Sequence, residues 1–123
     1  MAKILLVDED PLQAYQRKSL LEQRFTDVER VAGAAEALCL VELPHFAEKL
    51  GLVISGHHMP GIGGPVFVAE LRLRLPRLPI LVLGSGNDMA GDYPKEKVLY
   101  LAKPFAAEDI LSSAESMLKH GKA

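Results

Sequence analysis

The stretch Lys3-Ile4-Leu5-Leu6-Val7-Asp8-Glu9-Asp10-Pro11 decides the fold of this chain. The segment Lys3–Val7 is continuously apolar after its first residue, which is typical of a strand that is buried on both faces. Asp10 is a suitable helix cap in front of Pro11, because its carboxylate can accept the free N–H groups of a first turn and proline has no N–H to satisfy. A buried strand that passes directly into a capped helix predicts an α/β chain with a parallel sheet.

The rest of the chain repeats this alternation of strands and helices. We predict further strands at Val28–Ala32, Leu52–Ser55, Ile80–Leu83 and Val98–Leu101, and helices over 11–25, 34–43, from Pro65 onward, and over 106–119. Residues 84–97 hold three glycines and Pro94 with little helical periodicity, so the fourth helix should be short or irregular. Cys39 lies among apolar neighbours of the second helix, and we expect it to be an inert core residue. We expect residues 1–123 to form one domain.

The composition excludes several classes of protein. The 123 residues carry a net charge of −2 with no basic run, so direct nucleic-acid binding is not expected. The single cysteine cannot form an internal disulfide. The first apolar run ends at Asp8, too early for a signal peptide or a membrane span, and we expect a soluble, cytoplasmic protein with no membrane partner.

Polar groups follow the predicted strands at one edge of the sheet. Asp8 and Glu9 follow the first strand, Gly56 the third, Gly84 the fourth and Lys103 the fifth. In an open parallel sheet the crevice beyond the carboxyl ends of the strands is the usual binding site. Two adjacent carboxylates repel and need a cation, which Lys103 or a Mg²⁺ ion could supply.

Three blocks of sequence, 4–11, 52–64 and 100–105, together resemble the signature blocks of response-regulator receiver domains. They are Ile4-Leu-Leu-Val-Asp-Glu-Asp-Pro11, Leu52-Val-Ile-Ser-Gly-His-His-Met-Pro-Gly61 with Gly64, and Tyr100-Leu-Ala-Lys-Pro-Phe105. Their order and rough spacing match over almost the whole chain. The resemblance implies a flavodoxin-like, doubly wound (βα)5 fold with five parallel strands in the order 2-1-3-4-5.

The resemblance also assigns roles to individual residues. Asp8 and Glu9 match the acidic pair that holds Mg²⁺ in the family. Lys103 matches the lysine that contacts the phosphoryl group, and it precedes Pro104, whose peptide bond is cis in the family. Tyr100 matches the switch aromatic whose orientation reports phosphorylation.

Two departures from the family put phosphorylation in doubt. The acceptor aspartate should stand three residues before Met59, where this chain has Gly56. The threonine or serine at the end of the fourth strand is replaced by Gly84, and Ser85, which follows, should point the other way. We therefore expect a pseudo-receiver that is not an enzyme, needs no cofactor and binds Mg²⁺ at the acidic pair weakly or not at all.

The loop after the acceptor position contains His57, His58, Met59 and Pro60. Adjacent histidines rarely bind one metal ion with both rings, so we interpret both as loop residues rather than metal ligands or phosphohistidines. We expect one ring to fill part of the space that Gly56 leaves empty.

These observations favour a protein-interaction module of two-component signalling. The expected partners are a histidine kinase, a phosphotransfer protein or an output domain. The face formed by 84–97, the fifth strand and the last helix is the expected docking or homodimer surface. Two alternatives remain open: a receiver phosphorylated on Asp8 or Asp10, and a sensor of small anions that bind in the vacated pocket near Lys103. The sequence also leaves open whether the chain is a stand-alone protein or a piece of a longer regulator.

Overall fold

A computed structural model describes residues 2–85, 91–94 and 96–120. In this part of the chain five parallel strands form one sheet in the order β2-β1-β3-β4-β5, which confirms the expected flavodoxin-like topology. The strands are β1 (Lys3–Val7), β2 (Val28–Val31), β3 (Leu50–Gly56), β4 (Ile80–Gly84) and β5 (Val98–Ala102). The helices are α1 (Pro11–Leu21), α2 (Ala34–Val41), α3 (Pro44–Lys49), α4 (Gly64–Arg74) and α5 (Ala107–His120).

The sheet is buried on both faces, as the apolar strands predict. Leu5, Val7 and Val53 lie in the core on one side of the sheet, while Ile4 and Ile54 lie in the core on the other side. Successive strand residues point to opposite faces, so a strand with helices on both sides must be apolar at every position. The central strands therefore hold the carboxyl-end edge in a fixed position.

The helix α1 begins as predicted and ends earlier. A carboxylate oxygen of Asp10 accepts hydrogen bonds from the backbone N–H groups of Leu12 (3.0 Å) and Gln13 (3.3 Å), so the cap is confirmed. The helix ends at Leu21 rather than Phe25; residues 22–24 form turns, in which the N–H groups of Gln23 and Arg24 bond to the carbonyls of Leu20 and Leu21. Phe25 still packs on the core, from the turn rather than from the helix.

The prediction of one helix over 34–43 was wrong at its end. The helix α2 ends at Val41, and Pro44 begins a separate helix, α3, that was not predicted. The residue before a proline is pushed to extended backbone angles, and Leu43 has them (φ −84°, ψ 119°), which separates the two helices. The strand β3 then begins at Leu50, two residues earlier than predicted.

The prediction of a buried Cys39 was also wrong, since this residue is exposed. The buried face of α2 carries Ala34, Ala37 and Val41 at helical spacing. Residues on the same face of a helix are three or four positions apart, and Cys39 is at neither spacing from Ala34, Ala37 or Val41. Its side chain therefore lies on the solvent side of the helix.

The weak-helix prediction for 84–97 falls partly on residues 86–90 and 95, which lie outside the described residues. In the described part, residues 91–92 form a single turn and Tyr93 is buried. Arg72 joins the residues that precede β4 and β5: its guanidinium donates to the carbonyls of Leu78 (2.5 Å) and Glu96 (2.9 Å). Within the described ranges no helix is both long and apolar enough to span a membrane.

Candidate functional site

The carboxyl ends of four strands meet at one edge of the sheet, as predicted. Strand register pairs Val7 with Ser55, Gly56 with Leu83 and Gly84 with Ala102. The residues that follow these pairs therefore share that edge. Among them are the two that the sequence marks as unusual, Gly56 and Gly84.

Asp8 is the buried carboxylate of this edge, with 6% of its surface exposed. One carboxylate oxygen, Oδ2, pairs with Arg17 Nη1 at 3.2 Å, and the other, Oδ1, accepts the backbone N–H of Asp10 at 3.0 Å. Arg30 donates from Nε (3.0 Å) and Nη2 (2.7 Å) to the backbone carbonyl of Asp8. Both carboxylate oxygens and the carbonyl of Asp8 thus have protein partners.

Arg17 is the partner that sequence reasoning missed. Its side chain is 15% exposed, and this burial lowers the pKa of Arg17 while the charge of Asp8 acts in the opposite direction. A guanidinium remains charged in either case, since its pKa starts so far above neutrality. The spacing of α1 could have indicated this pair. Arg17 lies at helical spacing between the buried residues Ala14 and Leu21, and a cation on the inward face of a helix needs a buried anion as its partner.

Glu9 and Lys103 are both exposed. Within the described residues neither side chain makes a hydrogen bond or an ion pair. The cation beside Asp8 is therefore Arg17 and not Lys103, which corrects the expectation from the sequence. The backbone N–H of Lys103 donates to the carbonyl of Gly84 at 2.9 Å, and the Lys103–Pro104 peptide is cis, as the resemblance implies.

The backbone at Gly56 leaves room for a side chain. A Cβ there would lie 3.6 Å from the His58 carbonyl oxygen and 4.0 Å from both the Leu83 carbonyl oxygen and Met59 Cγ, which are ordinary contact distances. The side chain nearest to this Cβ position is that of Met59, and no histidine ring atom is among the three nearest atoms.

The ring of His57 instead joins an aromatic cluster formed by His57, His58, Tyr93 and Tyr100. His57 Nδ1 lies 2.6 Å from the Tyr93 hydroxyl, which makes a hydrogen bond. The ring centroids of His57 are 4.7 Å from His58 and 6.2 Å from Tyr100, and those of Tyr93 and Tyr100 are 5.8 Å apart. These are separations at which aromatic pairs attract one another.

Two glycines make room for this aromatic cluster. A Cβ on Gly84 would collide with the hydroxyl and the ring of Tyr100, lying 2.6 Å from Cε2. A Cβ on Gly64 would collide with the Tyr93 hydroxyl and approach the His57 carbonyl oxygen to 2.9 Å. The space of the missing hydroxyl at residue 84 is thus filled by the Tyr100 ring.

Tyr93 is the second residue that sequence reasoning missed. It is 6% exposed, and burial raises the pKa of its hydroxyl well above the ordinary value, with a smaller contribution from Tyr100. The hydroxyl therefore stays protonated at neutral pH. Tyr93 lies in the segment 84–97, where the lack of helical periodicity gave no sign of an inward-facing residue.

Comparison with known proteins identifies the family. The family model described as the response regulator receiver domain matches residues 4–115. The chain belongs to the response regulator receiver domain family. Among solved structures, a receiver domain protein from Clostridium thermocellum has a TM-score of 0.84 at 23% identity, covering 99% of this chain and 98% of that chain. The receiver domain of the hybrid histidine kinase CckA has a TM-score of 0.78 at 27% identity, covering 95% and 99%.

Curated relatives of this receiver domain are longer proteins. The transcriptional regulatory protein AruR of Pseudomonas aeruginosa is 27% identical over 95% of this chain and 49% of its own length. The C4-dicarboxylate transport regulator DctD of Rhizobium meliloti is 33% identical over 90% of this chain and 24% of its own. The sensor kinase CckA of Brucella abortus is 31% identical over 96% of this chain and 13% of its own. The receiver domain thus spans about half of AruR and less of the other two.

The donor set of this receiver domain does not fit the Mg²⁺ ion that its family implies. Magnesium takes oxygen ligands in near-octahedral geometry and is usually bound through one or two carboxylates together with several waters. Both carboxylate oxygens of Asp8 are already paired, Glu9 points to solvent, and Gly56 offers no side-chain ligand. No group of three or more His, Cys, Asp or Glu side chains in the described part of the chain is placed to hold a metal ion.

Proposed function

We propose that this receiver domain is a pseudo-receiver that works in two-component signalling by protein–protein interaction without aspartyl phosphorylation. The observation that carries the proposal is Gly56 at the end of β3. Phosphoryl transfer needs a nucleophile held in line with the phosphorus, and a hydrogen atom cannot replace a carboxylate there. The proposed role therefore depends on the shape of the domain and not on its chemical modification.

The two other carboxylates considered as acceptors are poorly placed to take over. Asp8 is buried with both oxygens engaged, and phosphorylation would break its ion pair with Arg17. Asp10 is committed to capping α1. A carboxylate that already accepts several hydrogen bonds is a weakened nucleophile, because its lone pairs are in use.

The aromatic cluster supports a domain held in one conformation. In the family a hydroxyl at residue 84 couples phosphate to the switch aromatic, and here that hydroxyl is absent. The Tyr100 ring occupies its place and contacts His57 and Tyr93. A ring changes orientation only when another group or a ligand favours the second orientation, and here no hydroxyl at residue 84 can do so. The surface around β5 should therefore keep a single conformation.

The proposed partner is a histidine kinase, a phosphotransfer protein or an output domain. Relatives of this chain include a sensor kinase and transcriptional regulators, in which the matching segment is only part of the protein. The proposed docking face comprises β5, α5 and the segment that precedes β5. Among the described residues of this face, Leu99 is an exposed large apolar residue, with 39% of its surface accessible.

The test is incubation with acetyl phosphate and Mg²⁺, followed by intact mass spectrometry. We expect no phosphoryl adduct on the unmodified protein. A stoichiometric adduct would overturn the proposal, and Asp8→Asn and Asp10→Asn would then locate it. Binding to a cognate kinase or output domain, measured with and without the phosphodonor, should give the same affinity.

A further inference from the structure

We infer that Arg17 is the built-in cation of the acidic pocket and stands in for the divalent metal, so that restoring a carboxylate at residue 56 would not by itself restore Mg²⁺ binding. The inference deepens the proposed function, on which it rests for the vacant acceptor position. It adds a second, independent block: the pocket is closed to the metal as well as to the phosphoryl group.

The first step is the charge of the pocket. Asp8 and Glu9 contribute two negative charges, and from the sequence Lys103 alone opposes them, which leaves a net attraction for a cation. The guanidinium of Arg17 lies 3.2 Å from Asp8, and that of Arg30 is bonded to the Asp8 carbonyl, so two further positive charges lie at this carboxylate. A divalent ion is drawn in by the negative charge of its ligands, and these two cations weaken that attraction whether or not residue 56 carries a carboxylate.

The second step is geometry. The Asp8 oxygen that Arg17 contacts is the one not used by the backbone N–H of Asp10. A metal ion on the same oxygen would stand beside a guanidinium, and the repulsion between them is strong where water is largely excluded. Arg17 would have to leave before Mg²⁺ could bind.

The third step is that Arg17 is held in place. Its side chain is mostly buried on the inward face of α1, between Ala14 and Leu21, which are both core residues. Arg30 fixes the other partner through two hydrogen bonds to the Asp8 carbonyl. An arginine cannot lose its proton in the accessible pH range, so this counter-charge is permanent.

The experiment compares Mg²⁺ binding by the unmodified protein, Gly56→Asp, Gly56→Asp/Arg17→Gln and Gly56→Asp/Arg17→Lys. Binding is measured by isothermal titration calorimetry and by the shift of the thermal midpoint at millimolar Mg²⁺. We expect no binding by the unmodified protein and only weak binding by Gly56→Asp, which sets the reference affinity. Removing the charge in the Arg17→Gln double variant should tighten Mg²⁺ binding by about tenfold or more, since one charge a few ångströms away contributes more than 1.4 kcal/mol, the equivalent of tenfold. The Arg17→Lys double variant keeps the charge and should behave like Gly56→Asp alone.

A matched control is Gly56→Asp/Lys18→Gln, which removes a neighbouring cation that is paired with Glu22 on the surface. It should not gain Mg²⁺ binding. If the Arg17→Gln double variant is unstable without metal, recovery of its thermal midpoint with Mg²⁺ provides the measurement.

Two outcomes would overturn the inference. One is tight Mg²⁺ binding by Gly56→Asp with Arg17 present, which needs no variant of Arg17. The other is an Arg17→Gln double variant that neither binds Mg²⁺ nor is stabilised by it. Neither outcome touches the proposed function, which the mass measurement on the unmodified protein decides separately.

Discussion

The ring of Tyr100 on β5 lies in the space that a side chain on Gly84, at the end of the neighbouring strand β4, would occupy. The two residues are therefore mutually dependent: the ring can lie here only because residue 84 has no Cβ. The resemblance to receiver domains assigns a hydroxyl at residue 84 and the aromatic of β5 to one switch. In this chain residue 84 has no side chain, and the Tyr100 ring lies in that space.

Replacing Gly84 with threonine should displace Tyr100. The added side chain cannot share the space, so the ring must swing outward and lose its contacts with His57 and Tyr93, or the strands must shift. Overpacking of this kind costs about 1–3 kcal/mol. Urea unfolding measures the loss of stability, and tyrosine fluorescence reports the greater exposure of the ring.

A double-mutant cycle tests the cause. In a Tyr100→Ala background the space at residue 84 is already free, so Gly84→Thr should cost less than about 0.5 kcal/mol there. An equal cost in both backgrounds would mean that the backbone, and not the Tyr100 ring, resists a side chain at residue 84.

Tyr93→Phe should destabilise the protein, because it removes a hydrogen bond within the aromatic cluster. The variant removes the hydroxyl that bonds to His57 Nδ1 and leaves a half-buried imidazole nitrogen without this partner. We expect a loss of about 1–2 kcal/mol in the free energy of unfolding. Tyr15→Phe is the matched control, because Tyr15 is 71% exposed and its hydroxyl faces water. Equal stability of the two variants would contradict the contribution assigned to the Tyr93 hydroxyl.

Stability should decline at alkaline pH through Tyr93. Burial raises the pKa of Tyr93 in the folded state, so the unfolded state releases this proton first. The contribution of Tyr93 is fully present below the unfolded pKa of about 10 and is lost as the pH rises from there toward the folded pKa, by at most about 1.4 kcal/mol per pH unit. Unfolding of the unmodified protein and of Tyr93→Phe should be compared between about pH 8 and 11. The difference between them should shrink as the pH rises; a constant difference would show that Tyr93 does not titrate in this range.

The sequence predicted the sheet because most of its strands are apolar runs next to a turn or a cap; the exception is β2, whose Glu29 and Arg30 lie between two valines. The short-range signals were sufficient: Asp10 before Pro11 placed the start of α1, and the apolar runs of β1 and β4 required burial on both faces. The ends of helices were less predictable. Phe25 is apolar and lies at helical spacing from Leu21, yet a turn delivers it to the core.

The sequence predicted that Asp8, Glu9 and Gly56 lie at the same edge of the sheet, but it predicted neither Arg17 as the cation beside Asp8 nor the aromatic cluster. The pairing of Arg17 with Asp8 depends on how α1 lies across β1, which pattern alone does not specify. Tyr93 reaches His57 through a segment without periodicity, so only the three-dimensional structure brings them together. The motif of the family drew attention to Lys103, although the buried counter-charge comes from a residue outside the motif.

Removing Arg17 alone should destabilise the protein more than removing the charges of Asp8 and Arg17 together. Arg17→Met leaves the carboxylate of Asp8, 5% exposed in its side chain, without a counter-charge and should cost about 3 kcal/mol. In Asp8→Asn/Arg17→Met the buried charge is gone as well, so the double variant should recover a large part of that loss. Lys18→Met breaks a surface ion pair with Glu22 on the same helix and should change stability by less than about 1 kcal/mol. Urea unfolding of the unmodified protein, Asp8→Asn, Arg17→Met and the double variant gives the coupling energy. Additive losses would mean that Arg17 acts through its packing on α1 rather than through its charge.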